Sequence, residues 1–329
     1  LICLFNMSAQ ISTGSTNNSG TYSSAIGFQT SAVGDYSTAM GYNTTSSASY
    51  CTAMGYATTA SGSTSTAMGV NTMASGDGST SLGNQTTASA NNSIATGAST
   101  TASGEVSTAM GYATTANGSS STSMGLSTTA NGDVSIAMGL GTTANGNVSV
   151  AMGRNTTASD YGSLVIGQYN YSGSAITTSS TAFNTSNTAF VIGNGTASNA
   201  RSDAFKVMFN GDTTVSNDLT VSGDVVISSD ARLKSNIVSL GSTLPKLLQI
   251  DGKSYEMKGK QKIGVLAQEI KEVFPELVSE DDNEMLAVNY QGLVPVLINA
   301  LKEQQSEIET YRDEVSELKE MVQKLIKTE

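Results

Sequence analysis

From Ser23 to Gly167 small, hydroxylic and apolar side chains alternate in a fixed pattern. Glycine recurs at 27, 41, 55, 69, 83, 97, 111, 125, 139, 153 and 167, always at an interval of 14. The unit reads S-T-A-M-G-x-x-T-T-A-S/N-G, as in Ser107-Thr108-Ala109-Met110-Gly111-Tyr112-Ala113-Thr114-Thr115-Ala116-Asn117-Gly118. Self-similarity at a fixed period marks a stacked-repeat architecture. The pattern predicts two short strands per unit, separated by glycine-containing turns. Successive residues of a strand point to opposite faces, so Ser and Ala share one face, and Met shares the other with the residue between them. The Met column runs Ile26, Met40, Met54, Met68, Leu82, Thr96, Met110, Met124, Met138, Met152 and Ile166, with Thr96 the exception to its apolar character. The repeated glycine fits a backbone of positive φ or a close approach between backbones. Stacked at about 4.8 Å per coil, the repeats make a rod roughly 50 Å long. One coil encloses almost no volume, so the apolar stripe needs a second surface, which three chains around an axis would supply. A disordered Ser/Thr linker would carry neither the strict period nor the stripe.

The phase ends after Gly167, and 169–227 reads as a β-rich neck. Ala189–Gly195 and Ala204–Asp212 are expected strands ending in Asn-Gly turn chemistry, and Leu219–Ile227 a further alternating strand pair. Nearer the C-terminus the spacing becomes helical. Val294, Leu297, Leu301, Gln304, Ile308, Tyr311, Val315, Leu318, Val322 and Leu325 follow one another by threes and fours. That spacing predicts a coiled-coil seam over 294–327. β-Branched and Leu positions would favour two strands, but Gln304 and Tyr311 break that rule. The β-repeat argues for three, and a trimer is the expectation.

Charge sharpens the division. Of 43 charged side chains only six lie in residues 1–200: Asp35, Asp77, Glu105, Asp133, Arg154 and Asp160. The net charge of −11 argues against nucleic acid as a partner. With no His in the chain, Ser-His-Asp triads, HExxH zinc sites and imidazole acid–base chemistry are excluded. Cys3 and Cys51 are the two thiols, too few for a disulfide framework or a Cys-rich metal site. No cofactor or metal is expected. No stretch is long enough to span a membrane as a helix, so no transmembrane anchor is expected in this chain. The lead, residues 1–19, opens with apolar Leu1–Phe5 and small Ser8-Ala9-Gln10. It reads either as the remnant of a secretory signal peptide cleaved near Ala9 or as a plain disordered terminus.

Ser229-Asp230-Ala231-Arg232-Leu233-Lys234-Ser235-Asn236 sits where the composition changes. On spacing alone it reads as a helix start capped by Asp230, running through Ala231–Asn236 with solvated Arg232 and Lys234. A second reading is chemical. A serine hydroxyl needs a base, and without His a lysine is the natural candidate. The lysine must be neutral to take a proton, so Lys234 is expected to be partly desolvated or to lie near Arg232. A helix N-terminus after Asp230 would favour an oxyanion. Ser229 and Lys234 do not share a face of a straight helix. Their pairing therefore needs a loop–helix junction or a neighbouring chain.

Two resemblances bear on these readings. Ser135-Ile136-Ala137-Met138-Gly139 and Ser149-Val150-Ala151-Met152-Gly153 resemble the S-V-A-I-G head repeats of YadA-like trimeric autotransporter adhesins, over 20–168. That resemblance implies a left-handed parallel β-roll, a homotrimer and surface attachment. Such adhesins end in a membrane β-barrel anchor, whereas residues 228–329 here read differently. The Ser229–Ile237 segment is similar to the cleavage motif of the endosialidase-type intramolecular chaperone, a self-processing serine peptidase family. Ile263-Gly264-Val265-Leu266-Ala267-Gln268-Glu269-Ile270, Val273-Phe274-Pro275-Glu276-Leu277-Val278 and Val288-Asn289-Tyr290-Gln291-Gly292-Leu293 resemble its downstream core. The resemblance implies a Ser–Lys dyad of Ser229 and Lys234, with cleavage between Ser229 and Asp230 and Arg232 in support. The chain thus reads as mainly β, with a trimeric β-roll of 14-residue repeats, a neck and an α+β chaperone ending in a trimeric coiled coil.

Function follows as an expectation: a homotrimeric surface fibre or adhesin, extracellular, whose chaperone directs folding and then releases itself. The alternative is a phage tail fibre or spike on a virion tail. The partner would be a glycan or protein of a host cell. A glycan-degrading enzyme needs paired carboxylates, and the repeats carry too few acids, too far apart.

Overall fold

In a computed structural model, residues 15–171, 179–280 and 284–328 are described. The apolar lead Leu1–Gln10 lies outside them. Two compact units divide between Gly223 and Asp224.

The first unit is a parallel β-solenoid. Each rung holds a strand of 5 residues and one of 2, such as Thr108–Tyr112 and Thr115–Ala116. Each strand pairs in parallel with its equivalent 14 residues on, Thr108 opposite Thr122 and Gly111 opposite Gly125. The short strands form one sheet of 11 strands, and the long ones belong to a sheet of 14. The interior is thin enough to hold only small side chains. Ser107, Ala109, Thr114 and Ala116 are all 0% exposed. Met110, on the other face, is 41% exposed. The stripe therefore lies on the outside of a single chain, as the alternation predicts.

The repeated glycine meets both of its expected reasons at once, inside the long strand and not in a turn. Gly111 has φ +122°, and a Cβ there would stand 2.1 Å from the carbonyl oxygen of Gly125. A second column, Gly or Ala at each rung's corner, meets the next rung as closely: a Cβ on Gly146 would lie 2.0 Å from the Asp160 carbonyl.

Asp160 occupies that same column on the last rung. No further corner stacks on it, so a side chain is allowed. Its Oδ2 accepts from Thr188 N–H at 2.7 Å. Burial pushes the Asp160 carboxyl above its ordinary range, against the opposing effect of that hydrogen bond. Asn170 closes the short-strand sheet. Its amide accepts from Thr157 N–H at 2.7 Å and donates to Thr157 O at 3.1 Å, standing in for a missing strand. Arg201 donates to the carbonyls of Asn155 and Asn170 at 3.0 and 3.1 Å. These three side chains satisfy backbone groups that the end of a solenoid leaves bare.

The long-strand sheet continues into the neck. Thr188–Asn194 pairs in parallel with Leu164–Gln168, then Asp203–Met208 and Thr213–Val215 add antiparallel. The turn at Asn210-Gly211 appears as expected, with Met208 N–H donating to Asp212 O at 2.8 Å. The strand pair expected over Leu219–Ile227 does not form. Residues 216–230 are extended or bent and exposed. Alternation supplies strand-like side chains there, but no neighbouring edge offers backbone partners.

The second unit has a small core. Helix α1 (Leu244–Leu247), a hairpin (Lys253–Met257 with Lys260–Gly264), helix α2 (Ala267–Val273) and a hairpin (Val278–Glu280 with Leu286–Val288) precede helix α3 (Leu293–Thr328). Ile270, Phe274 and Val296 are buried, with Leu247, Val265, Leu277, Val288 and Leu293 packed around them. Glu303 on α3 ties this core to α1. It accepts from Thr243 N–H at 2.5 Å and from Ser242 Oγ at 2.8 Å. Helix α3 has 36 residues, and Leu301, Ile308, Tyr311, Val315, Leu318, Val322 and Leu325 of the expected seam are exposed along it.

Candidate functional site

The segment Ser229–Lys234 is built on a single turn of 3-10 helix, Ala231–Leu233. Asp230 stands at its N-cap, and its carboxylate accepts from Arg232 N–H at 2.8 Å. Asp is a strong N-cap because its oxygen satisfies a bare N–H of the first turn. The capped helix expected over Ala231–Asn236 is therefore present only as this turn. Leu233 N–H donates to Asp230 O and Lys234 N–H to Ala231 O, both at 3.1 Å. Lys234 then leaves in an extended conformation, with φ −120° and ψ 147°.

The turn brings its two flanks together. Lys234 Nζ donates to Ser229 Oγ at 2.7 Å. The two side chains thus meet across a loop–turn junction in the single chain. Arg232 does something else. Its guanidinium pairs with Asp230 at 2.7 Å, holding that carboxyl below its usual range, and Asp230 in turn raises Arg232. Arg232 is turned to Asp230, and Lys234 is exposed in the single chain, as are its neighbours on both sides. The Asp230 carboxylate takes the Arg232 N–H of the turn.

Downstream, the apolar residues of the core motif are the ones that pack. Tyr290 Oη accepts from Val265 N–H at 3.1 Å, and Asn289 caps the turn before α3 through Gly292 N–H at 3.1 Å. Glu269 pairs with Lys253 at 3.2 Å. Among the described residues no group of three or more His, Cys, Asp or Glu could hold a metal ion. No described helix is long and apolar enough to cross a membrane.

The comparisons with known families fall on these two units. The family described as chaperone of endosialidase matches residues 229–279. The YadA head domain repeat matches seven times, at 19–44, 52–72, 74–100, 102–128, 116–142, 130–155 and 144–170. The chain carries YadA head repeats followed by an endosialidase-type chaperone. The first match begins at Ser229, and the solenoid coincides with the second. This combination supports an adhesin-like fibre bearing an intramolecular chaperone of a self-cleaving peptidase family. No curated protein matches the chain.

Sequence reasoning passed over three structural residues next to the solenoid's end. Asp160 was legible as the break in a column of Gly and Ala. Asn170 and Arg201 carried no local signal, because their partners are distant in sequence.

Proposed function

We propose that this chain is one subunit of a homotrimeric surface fibre, and that its C-terminal chaperone assembles the fibre and then cuts itself off between Ser229 and Asp230. The carrying observation is the 2.7 Å contact between Ser229 Oγ and Lys234 Nζ, inside the matched chaperone segment of a chain without His. In the reactive state the proton runs the other way along that line. A neutral Lys234 accepts the Ser229 hydroxyl proton as the oxygen adds to the scissile carbonyl. The ammonium then returns it to the departing amine of Asp230 as the C–N bond breaks, and water hydrolyses the ester left on the Ser229 oxygen to a carboxylate and the free hydroxyl.

In one chain Lys234 and the apolar residues Val225, Val226, Ile227 and Leu233 of the same segment are all exposed, whereas a lysine serves as a base most readily where burial disfavours its charged form. Those side chains have no cover until other chains arrive. Cleavage thereby waits for assembly. The same exposed seam on α3 supports three chains meeting there. The Ser/Thr/Asn surface of the head suits a host glycan or protein.

Expression of the full chain tests the dyad. The parent should yield a fragment beginning at Asp230 by N-terminal sequencing. Ser229→Ala and Lys234→Ala should both stay full length and trimeric. A C-terminal fragment from either variant sinks the dyad. A secretory leader upstream identifies a bacterial adhesin, a virion-attachment domain a tail fibre.

A further inference from the structure

A small cavity lies where the last rung of the solenoid meets the neck. It measures about 10 Å³, room for one particle the size of a water molecule. Asp160 lines it, with Ser163, Val165, Asn170, Thr188 and Val191 among the other walls. Asp160 is 2% exposed. Its Oδ2 accepts from Thr188 N–H, but its Oδ1 is buried with no hydrogen-bond partner in the chain. A buried carboxylate oxygen without a donor is costly, because it has given up water and gained nothing.

The neighbouring donors are spent elsewhere. Ser163 Oγ donates to the Asp160 backbone carbonyl at 2.9 Å. Asn170 Nδ2 donates to Thr157 O at 3.1 Å. Thr188 Oγ1 directs its proton to Met208 Sδ at 3.9 Å. The protons of both hydroxyls are thus turned away from Asp160 Oδ1, while their oxygens keep lone pairs. No residue lining the cavity is Lys or Arg, and the chain has no His. The walls therefore combine one negative charge with oxygen lone pairs and supply no positive charge.

That chemistry narrows the occupant. An anion is repelled by the carboxylate. A water molecule would satisfy Oδ1 but leave the charge unpaired, which is the larger cost. Calcium takes many oxygen ligands and magnesium keeps several of its waters, and neither fits one carboxylate with room for one particle. A single negative charge among hard oxygen ligands suits a small monovalent metal ion. The rival is a proton, since burial raises the Asp160 carboxyl.

We propose that this cavity is a sodium site, with Asp160 Oδ1 as its charged ligand and the hydroxyl oxygens of Ser163 and Thr188 beside it. The ion fastens a joint. Thr188 opens the strand Thr188–Asn194, which carries the long-strand sheet on from Leu164–Gln168. Sodium balances the charge of the side chain that holds Thr188 N–H, and so secures the neck to the end of the rod. The site lies within one chain and depends on neither the trimer nor the cleavage proposed above.

Amide exchange of the full chain, read by mass spectrometry on peptides covering 188–194, tests the site. Sodium chloride replaces choline chloride at constant ionic strength and at a fixed pH above neutral. Protection over 188–194 should grow with sodium, by up to about tenfold for each tenfold rise in concentration beyond half-saturation. Peptides in the middle of the rod, such as 108–130, should not respond. Asp160→Asn keeps an acceptor for Thr188 N–H and removes the charge, so its protection should be indifferent to sodium. Equal protection in sodium and choline overturns the site and leaves a water there. Protection that rises only as pH falls, alike in both salts, gives Oδ1 to a proton and overturns it as well. A sodium response that survives Asp160→Asn, or that is as large in the middle of the rod, puts the ion elsewhere and also overturns it. Should the variant fail to fold, the parent's local response to sodium over choline decides.

Discussion

Each solenoid rung buries hydroxyl groups that a thin interior cannot always partner. Thr100, Thr114 and Thr142 have Oγ1 atoms without a hydrogen bond. Ser81 and Ser123 show the remedy, because their hydroxyls meet Thr86 and Thr128 at 2.7 and 2.8 Å. Those serines stand where most rungs have alanine, five residues before the threonine. Ala137→Ser should therefore reach Thr142 and stabilise the rod by about 1 kcal/mol, the net worth of one buried hydrogen bond. A lower melting temperature in this variant would show that the interior cannot take the extra oxygen. The glycines and the small interior were legible at this scale, since backbones stacked this closely admit nothing larger. The Ser229–Lys234 pair was legible as two candidates. That one turn of helix joins them was not, because spacing alone equally described a longer helix.

Among the elements, α3 is held to its unit by the packing of Leu293 and Val296 and by one carboxylate. Glu303 accepts first from the Thr243 backbone and next from Ser242, which lowers its carboxyl below the ordinary value of 4.5. A depressed acid contributes stability that is present above its unfolded value and lost as pH falls through its folded one. Glu303→Gln should thus lower the chaperone's melting temperature at pH 7. The gap to the parent should close as the pH drops below about 4, where both side chains are neutral. A gap that persists in acid would assign the effect to shape and not charge. The helix and its apolar seam were legible from three-and-four spacing, but Glu303 was one acid among many on a charged helix. The expected strand pair at Leu219–Ile227 shows the converse error. Alternating side chains describe what a strand would bury, while a strand exists only where another backbone pairs with it.

Across the whole molecule, the rod and the chaperone have different folding problems. The rod's pairings run only to neighbouring rungs, but in the proposed trimer several chains would have to begin level with one another, a slow non-local step that invites aggregation. The proposed C-terminal trimeriser would raise local concentration and align the chains. Its proposed removal would take away the template for refolding. Uncut Ser229→Ala protein should therefore regain trimeric mass after dilution from denaturant, while the cut parent fibre, freed of its chaperone fragment, should not. Equal recovery of both, measured by sedimentation, would remove the template role.

The sequence by itself determined the period, the small interior, the outward apolar stripe and the division into a neutral rod and a charged C-terminal unit. Those features repeat or are local, so chain order alone displays them. Only the tertiary structure decided how the rod ends, through Asp160, Asn170 and Arg201, and which atoms meet at Ser229. Both depend on groups brought together by the path of the backbone, and that path is not written in side-chain spacing.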